Sequence, residues 1–174
     1  DAVVEEPVRH LMMHTEYADL VAVIKKQCAE YVKGNKGVKI SNVMLIDELF
    51  MEFDVVLIKR MLNILFTNSQ KFAAKNCHIS VGLIRKDNGN VQIQVADNGI
   101  GAADEYKPHM FDHTAGVDEL ELALVKDIIV AHGGTIEVKD NPGGGTIMVI
   151  DLPAKGMVEE AEIMDDDHAD DEIK

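Results

Sequence analysis

Long apolar runs are missing from this chain of 174 residues. No stretch approaches the roughly 20 residues of a membrane span, and no basic-then-apolar leader is present, so membrane insertion and secretion are not expected. A cytoplasmic segment is the expectation, which includes a piece cut from a membrane receptor. Cysteine is scarce. Cys28 and Cys77 have neither CxxC spacing nor a histidine pair nearby, so free buried thiols are expected rather than a disulfide or a metal site. Bases are outnumbered 17 to 31, leaving a net charge of -14 that would repel a phosphate backbone and speaks against a nucleic-acid partner. Most of that excess is local: nine acidic residues and one lysine between Met157 and Lys174 contribute -8. Neither GxxxxGK[ST] nor GxGxxG occurs, which removes the phosphate-binding turns of P-loop and dinucleotide-binding folds.

What is present is a globular composition, 47% hydrophobic and 28% charged, long enough for one domain with a full core. The expected layout is a lead-in over 1–17, a domain over 18–154 and an acidic tail over 155–174. In the lead-in, Pro7 is a break, and His10 and His14 would share a helical face at i, i+4, either as part of a metal pair lacking a third ligand or as an ordinary surface or core face. In the tail, His168 among aspartates reads as solvated chain, with a divalent-ion site as the alternative.

Apolar residues Leu20, Val21, Val23, Ile24, Cys28 and Tyr31 recur at three and four, predicting a helix from Tyr17 to about Val32 that Gly34 to Gly37 ends. Val38–Val43 and Leu49–Phe53 alternate as short strands. Asp54 then opens the longest helix, striped by Leu57, Ile58, Met61, Leu62, Leu65 and Phe66. Cys77 to Leu83 and Val91 to Val95 alternate about an Asn-Gly turn and read as a hairpin. A short turn through Tyr106, Pro108, Met110 and Phe111 precedes a helix from about Glu119 to Ala131, stopped by Gly133-Gly134. Thr135–Lys139 and Thr146–Leu152 form the last hairpin, which Pro153 closes. The predicted class is α+β: a two-layer sandwich, its mixed and mostly antiparallel sheet packed by helices on one face.

The organising stretch is Val91 to Gly101, a strand ending in Asp97-Asn98-Gly99-Ile100-Gly101. It reads either as a common turn or as a carboxylate at the mouth of an apolar layer, with glycines where something approaches the backbone closely. On the long helix, Asn68, Lys71 and Lys75 continue the apolar stripe with amide and ammonium groups. One reading is a half-buried asparagine with two solvated lysines near a helix C-terminus. The other needs an anion and a cation, such as a nucleotide triphosphate with Mg²⁺.

Together these pieces resemble the ATP-binding catalytic domain of sensor histidine kinases, in the superfamily that also holds gyrase, the heat-shock chaperone and mismatch-repair ATPases (the Bergerat fold). The resemblance covers about residues 18–153. Asp54 to Phe72 is similar to the N box, and Asp97 to Gly101 to the first glycine box. Met110-Phe111-Asp112 resembles the phenylalanine box, Leu122 to Gly134 the helix and turn after the second glycine box, and Gly145-Thr146 with Leu152-Pro153 the terminal hairpin. The resemblance implies a cofactor-binding set of Asn68, Lys71, Phe72, Asp97, Gly99, Ile100, Gly101 and Thr146. In it Asn68 is the Mg²⁺ ligand, Lys71 faces phosphate, and Asp97 accepts the adenine amino group. The implied cofactors are ATP and Mg²⁺. The implied partners are a phosphoacceptor histidine domain, a response regulator, or both, in two-component signal transduction.

Three departures stand out. The second glycine box reads Val117-Asp118-Glu119-Leu120-Glu121-Leu122, with glutamates where two glycines would offer amides; the lid before it is short; and Ile64 replaces the first asparagine of the N box. A glutamate about 5 Å from one phosphate charge costs roughly 3 kcal/mol at an effective dielectric of 20. Asp118 and Glu121 also read as a capping pair that fills the helix start internally. The expectation is a pocket that keeps its adenine half and has lost its phosphate half, weak or inactive as an isolated enzyme. No residue of the chain is assigned as catalytic. His10 and His14 are followed by Leu11 and Thr15, unlike the family's phosphoacceptor. The alternative is a non-catalytic docking module that uses the same fold to hold a response regulator or a partner kinase.

Overall fold

The computed structural model describes residues 11–73, 76–113 and 120–156. Its elements run β1 (Glu16–Asp19), α1 (Leu20–Gly34), β2 (Val38–Met44), β3 (Phe50–Phe53), α2 (Val55–Lys71), β4 (Cys77–Arg85) and β5 (Val91–Asp97). A 3-10 turn at Lys107–His109 follows, then α3 (Leu120–Ala131), β6 (Thr135–Asp140) and β7 (Thr146–Leu152).

The first helix starts three residues later than its periodicity suggests. Asp19 has extended backbone and accepts from the amide of Val21 at 3.0 Å, so it is the N-cap, and the preceding residues are free to be strand. They pair antiparallel with β3, Glu16 opposite Phe53 and Asp19 opposite Phe50, and Tyr17 stacks on Phe50 with ring centroids 5.6 Å apart. The same Asp19 oxygen accepts from Leu49, joining the helix start to the chain entering β3. His14 lies in irregular chain rather than on a helix, and its amide donates to Asp54. A helical His10 and His14 face therefore does not form at His14, and His10 falls outside the described residues.

The second helix begins where Asp54 predicts. Its Oδ1 accepts from Leu57 at 3.0 Å, while Ile58, Met61, Leu62, Leu65 and Phe66 are buried along one stripe. Burying each such side chain contributes about 1.5–3 kcal/mol. The third helix ends on Gly133 at φ +77°, with Gly134 donating to Ile129 and Gly133 to Val130, the paired bonds of a left-handed glycine stop.

The main sheet has the order β2-β4-β5-β7-β6, with β2 parallel to β4 and every other pair antiparallel. Alternation decides which face is covered. Cys77, Ile79, Val81 and Leu83 of β4, Val91, Ile93 and Val95 of β5, and Met148, Ile150 and Leu152 of β7 are buried with the helices. His78, Gln94 and Glu137 stand on the opposite, open face. This is the expected α+β sandwich. Beyond Pro153 the chain continues to Lys155, whose carbonyl accepts from Glu52 of β3 at 2.8 Å. Among the described residues no helix is long and apolar enough to cross a membrane.

Candidate functional site

Asp97 ends β5 with 9% of its surface exposed, and every oxygen is occupied. Oδ1 accepts from the amides of Gly99 (3.0 Å) and Thr146 (3.1 Å); Oδ2 accepts from the hydroxyls of Ser69 (2.9 Å) and Thr146 (3.2 Å). Four donors match the four acceptor sites of an ionised carboxylate. The carboxylate is thus fully hydrogen-bonded within the protein. Two of the four donors are hydroxyl rotors, so an incoming amine can replace one without stranding it. The Asp97 carbonyl accepts from Asn141 Nδ2 at 2.7 Å. Beneath it, burial and the Asp97 charge both push the Cys77 thiol up, and Cys28 is pushed up to about 12 by burial. Both thiols are free and buried, as expected.

Over Asp97 lies a cavity of about 250 Å³. Asp97 and Thr146 face it from the sheet, Asn68 and Phe72 from the end of α2, Ile100 to Ala103 from the strand-end loop, and Tyr106, Met110 and Leu122 from the far wall. Six of the eight expected binding residues therefore meet here: Asn68, Phe72, Asp97, Ile100, Gly101 and Thr146. Lys71 and Gly99 are not among the described lining residues. The Lys71 ammonium sits 5.7 Å from the centroid of the Phe72 ring. Gly99 serves the protein's own packing: an added Cβ would come within 2.8 Å of the Phe72 carbonyl oxygen, which also accepts from Ile100 at 3.2 Å. That contact ties the strand-end loop to Phe72, the residue that caps α2, so the missing Cβ at Gly99 makes room for this backbone.

Ser69 and Asn141 were not legible as site residues. Ser69 is a small polar residue beside Asn68 that the helix turns inward, and Asn141 looked like turn chemistry. Lys75, the capping Asp118 and Glu119 of the acidic rim lie outside the described residues; Glu121 is exposed in the first turn of α3. Ile64, in place of the first N-box asparagine, is buried in the core.

A sequence profile of the family described as "Histidine kinase-, DNA gyrase B-, and HSP90-like ATPase" matches residues 53–156, more than half of the chain. The chain belongs to this ATPase family. Within the family its relatives are sensor kinases: sensor protein CiaH of Streptococcus pneumoniae is 36% identical over 109 residues, 57% of this chain and 24% of that protein. Sensor histidine kinase YkoH of Bacillus subtilis is 32% identical over 114 residues, 60% of this chain and 24% of that one. The ATPase domain described here thus spans about a quarter of the length of these relatives. Its fold matches the catalytic domain of histidine kinase ThkA with a TM-score of 0.75 at 19% identity, covering 82% of this chain and 97% of that one. Full-length ShkA, in complex with AMPPNP, matches with a TM-score of 0.75 at 20% identity over 86% of this chain and 33% of that one.

Proposed function

We propose that this ATPase domain is the nucleotide-binding catalytic domain of a cytoplasmic sensor kinase region, with adenine in the cavity over Asp97 and a weakened phosphate side. The observation that carries the reading is that Asn68 and Asp97, 29 positions apart in sequence, line one cavity. Its volume lies below the ~300–1,000 Å³ of pockets that enclose whole drug-sized ligands, which suits a base whose phosphates extend outward. An adenine amino group would donate to Asp97, displacing the Ser69 or Thr146 hydroxyl, which can turn to a ring nitrogen. A purine carrying an oxygen at that place would face the carboxylate with an acceptor and be rejected.

Mg²⁺ fits this residue set only together with a nucleotide. Among the described residues no group of three His, Cys, Asp or Glu side chains could hold a metal. Asn68 offers one neutral oxygen at the cavity rim, and phosphates and water would supply the remainder, as this cation prefers. Bound there, it would neutralise phosphate charge; the nucleophile is a histidine of another chain or segment. Lys71 stands at the end of α2 as the phosphate-facing cation. Glu119 and Glu121 work against a triphosphate.

Calorimetric titration tests both halves of the reading. Adenosine, ADP and Mg²⁺-ATP are expected to bind with similar, weak affinity, and Asp97→Asn to abolish all three. Micromolar, Mg²⁺-dependent ATP binding would overturn the loss of the phosphate side. Binding by none of them would favour a docking module for a response regulator or partner kinase.

A further inference from the structure

Beside Leu122 of α3, the far wall of the cavity is made by an arm of chain between β5 and α3 that carries Tyr106 and Met110. From Ala103 to Asp112 it is held by short-range bonds: Tyr106 and Lys107 donate to Ala103, His109 to Tyr106, Met110 to Lys107 and Asp112 to His109. This coil turns Tyr106 and Met110, four apart, into the cavity. Lys107 reaches away from it. Its ammonium sits 2.5 Å from Asp104 Oδ1, within the arm, and 2.7 Å from Asp140 Oδ1, at the end of β6.

Only the second contact leaves the arm, and it lands on the turn that holds Asp97. Asn141 follows Asp140 and binds the Asp97 carbonyl; Thr146, where the turn re-enters β7, gives Asp97 two hydrogen bonds. One hairpin turn therefore grips the base acceptor with one set of groups and the opposing wall with another. The Lys107 side chain is 16% exposed and that of Asp140 69%, so the pair is covered on its cationic side and open to water on its acidic side.

We propose that Lys107 is a positioning residue for the base cavity, clasping its outer wall to the turn between β6 and β7 through Asp140. Nothing in this role touches a phosphate. The proposal rests on the reading of the cavity as an adenine site and adds to it how the cavity keeps its width.

Adenosine separates the role from direct attraction, because it carries no charge for Lys107 to attract. Titrations of the whole chain are made with wild type, Lys107→Met, Asp140→Asn, Asp104→Asn, Lys107→Arg and the Lys107→Met/Asp140→Asn double variant. Lys107→Met and Asp140→Asn are each expected to weaken adenosine binding about 3- to 5-fold, the scale of one partly screened ion pair. The double variant should be no weaker than either single one, since both remove the same contact. Lys107→Arg should restore most of the affinity, and Asp104→Asn should leave it within 2-fold. Raising the salt should lower wild-type affinity toward that of the variants and leave the variants unchanged. Amide exchange over 103–112, measured without ligand, should quicken in Lys107→Met and Asp140→Asn but not in Asp104→Asn.

Wild type that binds adenosine beside variants that bind it equally well would overturn the clasp alone. An Asp104→Asn loss as large as that of Asp140→Asn would do the same, by placing the effect inside the arm. Wild type that binds no adenosine would bring down the adenine reading, and the clasp with it.

Discussion

The backbone amide of Asp54 donates to Nε2 of His132 at 3.1 Å, and Nδ1 of the same ring lies 2.7 Å from the Ile128 carbonyl. An imidazole carrying its proton on Nδ1 satisfies both contacts, so one buried ring joins the start of α2 to the end of α3. His132→Ala strands the Asp54 amide and leaves a void; the expected cost is about 2–4 kcal/mol, read from urea unfolding at neutral pH. Asp54 itself carries a pH signature. Burial works against its charge, but the amides of Leu57 and His14 outweigh that and hold its carboxyl below the ordinary value of 3.8. A carboxyl lowered in the folded state contributes stability above its unfolded pKa and loses it as pH falls through the folded one. Unfolding midpoints of wild type and Asp54→Asn, compared from pH 6 downward, should therefore converge below about pH 4, because asparagine still caps but does not titrate. At this scale Asp97 and Asn68 were legible because their neighbours form recognisable patterns. Ser69 and Asn141 were not, since a serine in a helix and an asparagine in a turn have ordinary local explanations and acquire their roles only from partners 28 and 44 residues away.

Among the elements, α2 was readable from its cap to its stripe because a 17-residue amphipathic helix carries its own signal. The four-residue β1 was hidden: its residues fit the upstream end of a helical pattern, and only pairing with β3 keeps them extended. Its first clue is Asp19, which looks like any helix surface residue until its side chain is seen to accept from two amides. The turn between β6 and β7 gives a sharp test of element geometry. Gly145 has φ +95°, and an added Cβ would overlap the Asp97 carbonyl oxygen. Gly145→Ala should cost about 2–4 kcal/mol through strain and displacement of that strand end, and weaken adenosine binding in the fraction that folds. Gly89, also at positive φ but in open space, is the control: Gly89→Ala should cost only about 1 kcal/mol, seen as a smaller shift of the thermal midpoint.

At the scale of the molecule, adjacent strands were predictable as hairpins because a turn announces each pair. The parallel β2-β4 contact and the β5-β7 contact were not, since nothing local records which distant strand will lie alongside. The assembled order places β4, β5 and β7 inside the sheet and leaves β2 and β6 at its edges. Native-state amide exchange should follow that order, slowest in β4, β5 and β7 and faster along the outer sides of β2 and β6. Faster exchange in β5 than in β6 would contradict the arrangement. Three of the five hydrogen bonds that fix Asp97 beyond the strand ladder come from Asn141 and Thr146, which a ribosome adds some forty-five to fifty peptide bonds after it; only Ser69 and Gly99 are in place sooner. A nascent chain halted before Thr146 would own the carboxylate yet lack two of the four donors that aim it. Competence for a purine would then arrive late in synthesis, with the closing hairpin, and truncated products should pass through an adenosine affinity column unretained.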